Sequence, residues 1–334
     1  MTEEHPFAQF VRIIGKGPHL SRPLTEDEML EAARMILAGQ VEPLQLGAFL
    51  CLLRVRTEVP AEGAGFVRAV RETFALPADK PRVDLDWASY SGKLRQLPWY
   101  VLAALLLAQN GVRVFMHGTE GHTAGRVYTR QVFQYLGLPL ATSFDEAAAQ
   151  LRAGNIAYMP LAHLQPRLQE IIELKSILGL RSPVNTFGRM VNAFDAPHEF
   201  QTVFHPGYRD VHRDTANLLG QKHMAVFKGE GGEAERRPHK PLLVQSLHEG
   251  EYSEEEWPIL VHGIDDPKDT AMDLSRLKAV WTGAQTDAYG EGAVIGTAAI
   301  ALRLMGRGAD TDEATDMARE MWAHRNRDQL GAAA

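Results

Sequence analysis

The side chains best suited to bind a ligand begin at Trp87, in a segment that reads WASYSGKLR. The segment holds one glycine, two aromatic residues and two cations, Lys93 and Arg95. A phosphate-binding loop needs several glycines, because backbone N–H groups must approach the anion. Aromatic rings stack on bases and cations pair with phosphates, so this composition favours contact with a nucleic acid. Trp87 and Tyr90 could instead pack beneath the loop, since aromatic residues are common in protein cores.

A second candidate segment, residues 228–240, begins with a run of glycines that would let the backbone approach a ligand. It contains four cations: Lys228, Arg236, Arg237 and Lys240. It also contains three acidic residues, which oppose anion binding and could hold a metal: Glu230, Glu233 and Glu235. We predict that this segment and the first one line a single groove, which Arg126 and Arg189 extend.

Both segments follow stretches that the sequence predicts to be buried strands. An apolar helix over residues 99–108 follows the first segment, and alternating apolar residues predict a strand over residues 112–116. This strand–helix–strand pattern is typical of a parallel sheet, which binds its ligands at the carboxyl ends of the strands. His117 follows the second strand, where we expect a turn or core residue rather than a catalytic base, since the sequence shows no partner for it.

The composition is that of a globular protein with a sizeable core. The chain has 334 residues, of which 45% are hydrophobic and 23% are charged. Its single cysteine, Cys51, excludes a disulfide framework and indicates a reducing compartment. The N-terminus does not resemble a signal peptide and no apolar run reaches about 18 residues, so we predict a cytoplasmic protein without a membrane span. The net charge is -7, but residues 82–130 carry six cations against three acids, which favours anion binding there.

The first 76 residues predict a small helical domain. Residues 25–28 form a capping box, and Pro43 and Pro60 stand where two further helices would start. A proline-containing linker leads into residues 80–330, for which we predict an α/β domain with a largely parallel sheet. The second helix is more apolar than one buried face requires, so we predict a homodimer through the N-terminal helices. The residues concerned are Leu44, Phe49, Leu50, Leu52 and Leu53.

Five segments of the chain carry a further signal: residues 24–72, 110–119, 178–194, 203–208 and 218–235. In this order they resemble segments of anthranilate phosphoribosyltransferase, and residues 24–72 resemble the N-terminal helices of that family. The resemblance covers about residues 24–320. It implies a nucleoside phosphorylase/phosphoribosyltransferase-like fold, dimerisation through the helical domain, and a helical domain completed by a mid-chain helix near residues 164–179.

The motifs that carry the family's chemistry differ in this chain. The enzymes bind the sugar diphosphate with a Gly-Thr-Gly-Gly-Asp loop, where this chain has residues 87–92, and bind magnesium with an Asp-Glu pair, where it has Glu233 and Ala234. The segments DWASYSGKLRQLPW and KGEGGEAER make the chain similar to the YbiB-type branch, which shares the fold and binds nucleic acid.

The sequence therefore predicts a non-enzymatic DNA- or RNA-binding protein with weak sequence preference, without catalytic residues, metal or cofactor. Positive side chains would follow the phosphates, and aromatic rings would stack on the bases. The alternative is a glycosyl transferase or phosphoribosyltransferase acting on a ribose derivative, with Mg²⁺ and phosphoribosyl diphosphate. The lost carboxylate separates the two hypotheses, because a diphosphate normally requires Mg²⁺ held by carboxylates.

Overall fold

The computed structural model describes residues 3–17, 19–121, 123–264, 268–269 and 271–330. A helical N-terminal part precedes a large α/β domain, which confirms the predicted fold class. The α-helices of the described residues are α1 Ala8–Gly15, α2 Glu26–Leu37, α3 Pro43–Arg56, α4 Pro60–Arg71, α5 Tyr100–Gln109, α6 Thr129–Leu136, α7 Phe144–Gly154, α8 Leu161–Leu164, α9 Pro166–Glu173, α10 Lys175–Leu178, α11 Val184–Phe187, α12 Arg209–Leu218, α13 Ser275–Thr282, α14 Ala288–Leu304 and α15 Thr311–Ala323.

One seven-stranded sheet forms the centre of the α/β domain, in the order β3-β2-β1-β4-β5-β6-β7. Its strands are β1 Leu85–Ser89, β2 Val114–Gly118, β3 Ile156–Pro160, β4 His198–Val203, β5 His223–Lys228, β6 Leu242–His248 and β7 Glu251–Trp257. The first five are parallel, and β6 and β7 are antiparallel to their neighbours. The strand order reverses beside β1, which creates a crevice at the carboxyl ends of β1 and β4.

Successive side chains of β1 point to opposite faces of the sheet, and each face packs against a different core. Leu85 and Trp87 pack in the core formed with α5 and α14, where burial of every residue from Tyr100 to Ala108 explains why α5 is apolar on all sides. Ala88 and Tyr90 point to the opposite face, into the core shared with the N-terminal helices. The segment predicted to be a ligand-binding loop is therefore a strand as far as Ser89.

The N-terminal helices share a core with the middle of the chain. Thr25 and Glu28 form the predicted capping box at the start of α2. Leu168, Ile171 and Ile172 of α9 pack in the same core as α1–α4. None of the helices in the described ranges is both long and apolar enough to cross a membrane.

The acidic stretch that ends at Trp257 forms a strand that the sequence did not predict. Residues 251–257 form β7, the edge strand of the sheet, and most of their side chains are exposed. The strand was not predicted, because a run of glutamates has low β-propensity. Charges on an edge strand discourage pairing with another chain, which gives this acidic stretch a structural role.

Candidate active site

A cleft of about 280 Å³ opens at the carboxyl ends of β1 and β5. Residues from both basic segments line it, together with Phe204. Four of the lining residues are cations: Arg95, Arg126, Lys228 and Arg237. Among the described residues that line the cleft, the single carboxylate is Glu230, whose Oε2 lies 3.7 Å from Arg237 Nε. The charge of this first cleft is therefore suited to an anionic ligand.

A second cleft of about 160 Å³ adjoins the first and shares Phe204 with it. It extends towards the N-terminal helices, from which Arg54 enters the lining. Tyr208 accepts a hydrogen bond from Arg54 Nη1 at 3.0 Å. His212 also lines this cleft, but burial lowers its pKa to about 3, so its ring is neutral. Its ring nitrogen Nδ1 lies 2.5 Å from Gln201 Oε1.

The second cleft contains cations that the sequence analysis missed. Burial lowers the pKa of Arg181, and the nearby charges of Arg126 and Arg54 lower it further. Arg181 Nη2 donates to Thr123 Oγ1 at 3.3 Å. Arg54 and Arg181 line the second cleft and Arg126 lines the first. The three come from separate segments, so only the fold reveals that they lie close together. An anion between them would relieve their mutual repulsion.

Two arginines clamp the two basic segments together. Arg126 Nη1 donates to the carbonyl oxygens of Ser91 and Gly92, both at 2.9 Å, and to that of Gly231 at 3.4 Å. Arg189 is buried and donates to Ser91 Oγ at 2.7 Å and to the Gly232 carbonyl oxygen at 3.1 Å. Both arginines line a cleft, and their hydrogen bonds also hold the loops in place.

Lys93 does not face the cleft, contrary to the sequence-based prediction. Its side chain is 1% exposed, and Nζ lies 2.5 Å from Glu235 Oε1, whose side chain is fully buried. Glu235 also accepts a hydrogen bond from the Tyr100 backbone N–H at 2.9 Å. Burial raises the pKa of Glu235 to about 7, although Lys93 acts to lower it. The pair is part of the core and cannot contact a phosphate backbone.

The predicted stacking residues are also buried. Trp87 lies in β1 against Phe200, with ring centroids 4.8 Å apart. Tyr90 OH lies 2.9 Å from His117 Nδ1, and His117 Nε2 lies 3.2 Å from Asp86 Oδ1. His117 is thus a core residue, as expected, but with partners that the sequence did not show. Neither aromatic ring is accessible to a base, so the stacking prediction is wrong.

The remaining predicted cations occupy different places. Arg236 is 1% exposed, packs over the Trp257 ring at 5.1 Å and donates to the Pro258 carbonyl oxygen. Its place in a groove was therefore predicted wrongly, because spacing alone did not show which way the side chain turns. Lys240 is half-buried and is not among the residues that line either cleft.

Glu233 occupies a backbone site where the two segments meet. Its Oε1 accepts hydrogen bonds from the consecutive N–H groups of Ser91 and Gly92, at 2.6 Å and 2.5 Å. The side chain is fully buried. Burial raises the pKa of Glu233, while Arg189 and the two N–H groups act to lower it.

These carboxylates do not form a magnesium site. Mg²⁺ requires several oxygen ligands in octahedral geometry. Glu233 Oε1 is bound by two N–H groups, Glu235 is paired with Lys93, and Ala234 offers no ligand. Within the described ranges, no three His, Cys, Asp or Glu side chains are grouped so that they could hold a metal.

Comparison with known proteins places the chain in an enzyme family. Residues 9–74 match the helical bundle domain of a glycosyl transferase family, and residues 101–324 match its a/b domain. The chain is 29% identical over 232 residues to an anthranilate phosphoribosyltransferase of Gluconobacter oxydans, covering 68% of this chain and 63% of that relative. It is 29% identical over 238 residues to that of Thiobacillus denitrificans, covering 70% and 68%.

Solved structures show the same fold. Anthranilate phosphoribosyltransferase from Thermus thermophilus superposes with a TM-score of 0.81 at 20% identity, covering 98% of this chain and 97% of that one. The Saccharomyces cerevisiae enzyme in complex with PRPP and Mg gives 0.79 at 15% identity, covering 98% and 96%. That yeast structure holds PRPP and Mg, so the prediction that no metal or cofactor is used finds no support among these structures.

The prediction of a non-enzymatic nucleic-acid-binding protein is wrong. The named relatives and structural neighbours given above are enzymes, and the matches do not confirm the YbiB-type branch. Several side chains on which that prediction depended are buried in the core. The alternative, a transferase acting on a ribose derivative, agrees better with these findings. The chain belongs to the glycosyl transferase family that includes the anthranilate phosphoribosyltransferases.

Proposed function

We propose that the protein is a pentosyl transferase that uses a ribose derivative phosphorylated at its anomeric carbon. The observation that supports this most directly is the first cleft, where four cations and one carboxylate line the carboxyl edge of a parallel sheet. Ligands bind at this edge in open α/β sheets. A phosphate or diphosphate group would bind there without requiring any buried side chain to move.

The cations of the first cleft would stabilise the leaving group. As the bond between the anomeric carbon and the phosphate oxygen breaks, the electron pair leaves with the phosphate or diphosphate. Arg95, Lys228 and Arg237 would neutralise the charge that develops on it. Guanidinium groups suit this task because they remain protonated and pair with phosphate in two places.

The acceptor would bind in the second cleft. Phe204 and Tyr208 supply aromatic surface there, and Arg54 and Arg181 supply positive charge. This combination suits a small aromatic acid, and the relatives named as anthranilate phosphoribosyltransferases suggest anthranilate as the first compound to test. The acceptor nitrogen would form the new bond to the anomeric carbon and release its proton to water.

Phosphorus NMR, which detects released diphosphate or phosphate, and anthranilate fluorescence together test this function. The protein is mixed with anthranilate and either phosphoribosyl diphosphate or ribose 1-phosphate, with and without Mg²⁺. We expect release of diphosphate or phosphate together with loss of anthranilate fluorescence for at least one donor. If neither donor is consumed by protein that circular dichroism shows to be folded, the proposal fails.

We also propose that the protein forms a homodimer through α3. Leu44 and Val55 are 89% and 80% exposed and share a helical face with Ala48 and Cys51, which lie four and seven residues after Leu44. Ile177, 79% exposed, lies on α10. An exposed apolar surface of this kind is typical of an interface between chains.

Light scattering after size exclusion tests the dimer. The wild type should have twice the mass of one chain, and the double variant Leu44→Glu/Val55→Glu should have the mass of one, because the charges would be buried unpaired. Tyr135→Glu, on the exposed side of α6, serves as the control and should stay dimeric. A monomeric wild type at micromolar concentration would contradict the proposal.

A further inference from the structure

Two consecutive backbone N–H groups converge on a side chain of the protein itself. The N–H groups of Ser91 and Gly92 point at Glu233 Oε1. Gly92 has a φ of 67°, in the left-handed region that glycine adopts easily. Consecutive N–H groups in such a turn form a concave site that binds anions. Here the anion is a carboxylate 141 residues away from Gly92 in the chain.

This backbone site adjoins the clefts described above. It lies directly after β1, at the point where the strand order reverses. Ser91 and Arg189 line the second cleft, and Gly231, two residues before Glu233, lines the first. A ligand anion in either cleft would therefore be a neighbour of the Glu233 carboxylate.

Two glycines allow the loop that carries Glu233 to lie against Ser91. A Cβ atom on Gly229 would lie 1.8 Å from the Glu233 carbonyl oxygen, and one on Gly232 would lie 2.6 Å from Ser91 Oγ. Gly232 also has a φ of 88°. Side chains at these positions would push the loop away from Ser91, so the glycines allow the close contact.

A purely structural role does not account for the carboxylate. Arg126 and Arg189 already connect the two loops. Glu233 Oε2 is buried without a well-formed hydrogen bond among the described residues, which costs stability. The neighbouring Ser89 hydroxyl acts to lower the pKa of Glu233, but it is also bonded to Tyr100 OH and Thr129 Oγ1. A phosphate group has more acceptor oxygens than a carboxylate, so it would accept more hydrogen bonds from the polar groups around this position.

We propose that Glu233 is an internal anion that fills a phosphate-binding site and thereby determines which donor the enzyme accepts. While Glu233 is in place, the N–H groups of Ser91 and Gly92 are closed to the substrate. Only the side-chain cations of the first cleft then hold the donor's phosphate groups. The role of Glu233 in the choice of donor rests on the proposed function, whereas its occupation of the backbone site does not.

Calorimetric titration with inorganic pyrophosphate, without divalent metal, tests the proposal on two variants. Glu233→Ser removes the carboxylate and opens the site, so we expect pyrophosphate to bind at least about ten-fold more tightly than to the wild type. Glu233→Gln keeps an amide oxygen that can accept both hydrogen bonds, so its affinity should stay close to that of the wild type. Glu230→Gln, which removes a charge from the first cleft, is the control for electrostatic relief.

Two outcomes would overturn the proposal. In one, Glu233→Ser binds pyrophosphate no more tightly than the wild type. In the other, Glu233→Gln or Glu230→Gln gains as much as Glu233→Ser, which would show that charge relief and not an opened site is responsible. Neither measurement requires turnover, so failure of the transfer assay would leave this test intact.

The amide signal of Gly92 gives a second measurement. If Glu233→Ser does not fold, Glu233→Asp replaces it, because the shorter carboxylate must withdraw from the N–H groups. In the variant that folds, saturating pyrophosphate should shift the Gly92 N–H resonance much further than in the wild type, where Glu233 still accepts from that N–H group. A resonance that is unchanged in the variant would contradict the proposal.

Discussion

Replacing Lys93 with methionine should lower the free energy of unfolding by about 3–5 kcal/mol, because it leaves a buried carboxylate without its partner. Lys93 and Glu235 are 1% and 0% exposed and their charged atoms lie 2.5 Å apart. Methionine keeps the volume of the lysine stem, so the loss comes from the charge and not from a cavity. Urea unfolding measures it.

The loss should also depend on pH. The pKa of Glu235 is about 7 in the folded protein, above its ordinary value of 4.5, and removing Lys93 raises it further. The folded state of the variant therefore binds a proton that the unfolded state releases, and stability falls as pH rises. The difference from the wild type should be smaller near pH 5.5 than near pH 8.5.

Two further variants make this prediction specific. Lys93→Met/Glu235→Gln removes both charges and should recover most of the lost stability. Lys80→Met changes an exposed lysine in the same way and should alter stability by less than about 0.5 kcal/mol. Equal losses in Lys93→Met and Lys80→Met would show that the buried ion pair is not as described.

The double variant Arg95→Ala/Arg237→Ala should bind phosphoribosyl diphosphate about 100-fold more weakly than the wild type. Both arginines line the first cleft, and each charge-assisted contact to a phosphate contributes about 1.5 kcal/mol, which is about ten-fold in affinity. The fold should be unaffected, since Arg95 is exposed and Arg237 only approaches Glu230 at 3.7 Å. Calorimetric titration measures the affinity.

A matched control separates the cleft from net charge. Lys80→Ala/Arg307→Ala removes the same two charges from exposed positions that line neither cleft. Its affinity should fall by less than about two-fold, because solvent and salt screen distant charges. An equal loss in both double variants would place the phosphate groups outside the first cleft.

The fold could be predicted from the sequence because its signals are local. The capping box at Thr25 and the uniformly apolar α5 each depend on neighbouring residues alone. β7 was missed because its glutamates oppose the usual strand pattern, and the antiparallel β5–β6–β7 edge supplies the missing support.

The site was only partly predictable, because burial is decided by contacts between distant segments. Lys93 and Arg95 are two residues apart and both cationic, yet one is buried beside Glu235 and the other is exposed in a cleft. Arg54 and Arg181 reach the second cleft from different helical and loop segments, and no spacing in the sequence connects them. Composition indicated an anion-binding protein, but only the fold showed which cations are available.

The most direct test of the proposed function is calorimetric titration of the wild type with phosphoribosyl diphosphate at low and at physiological salt. We expect saturable binding with one site per chain, and an affinity that falls as salt screens the cleft cations. The complex should protect Arg95 and Arg237 from modification by a guanidinium reagent. Absence of binding at low salt, by protein that is folded, would contradict the account.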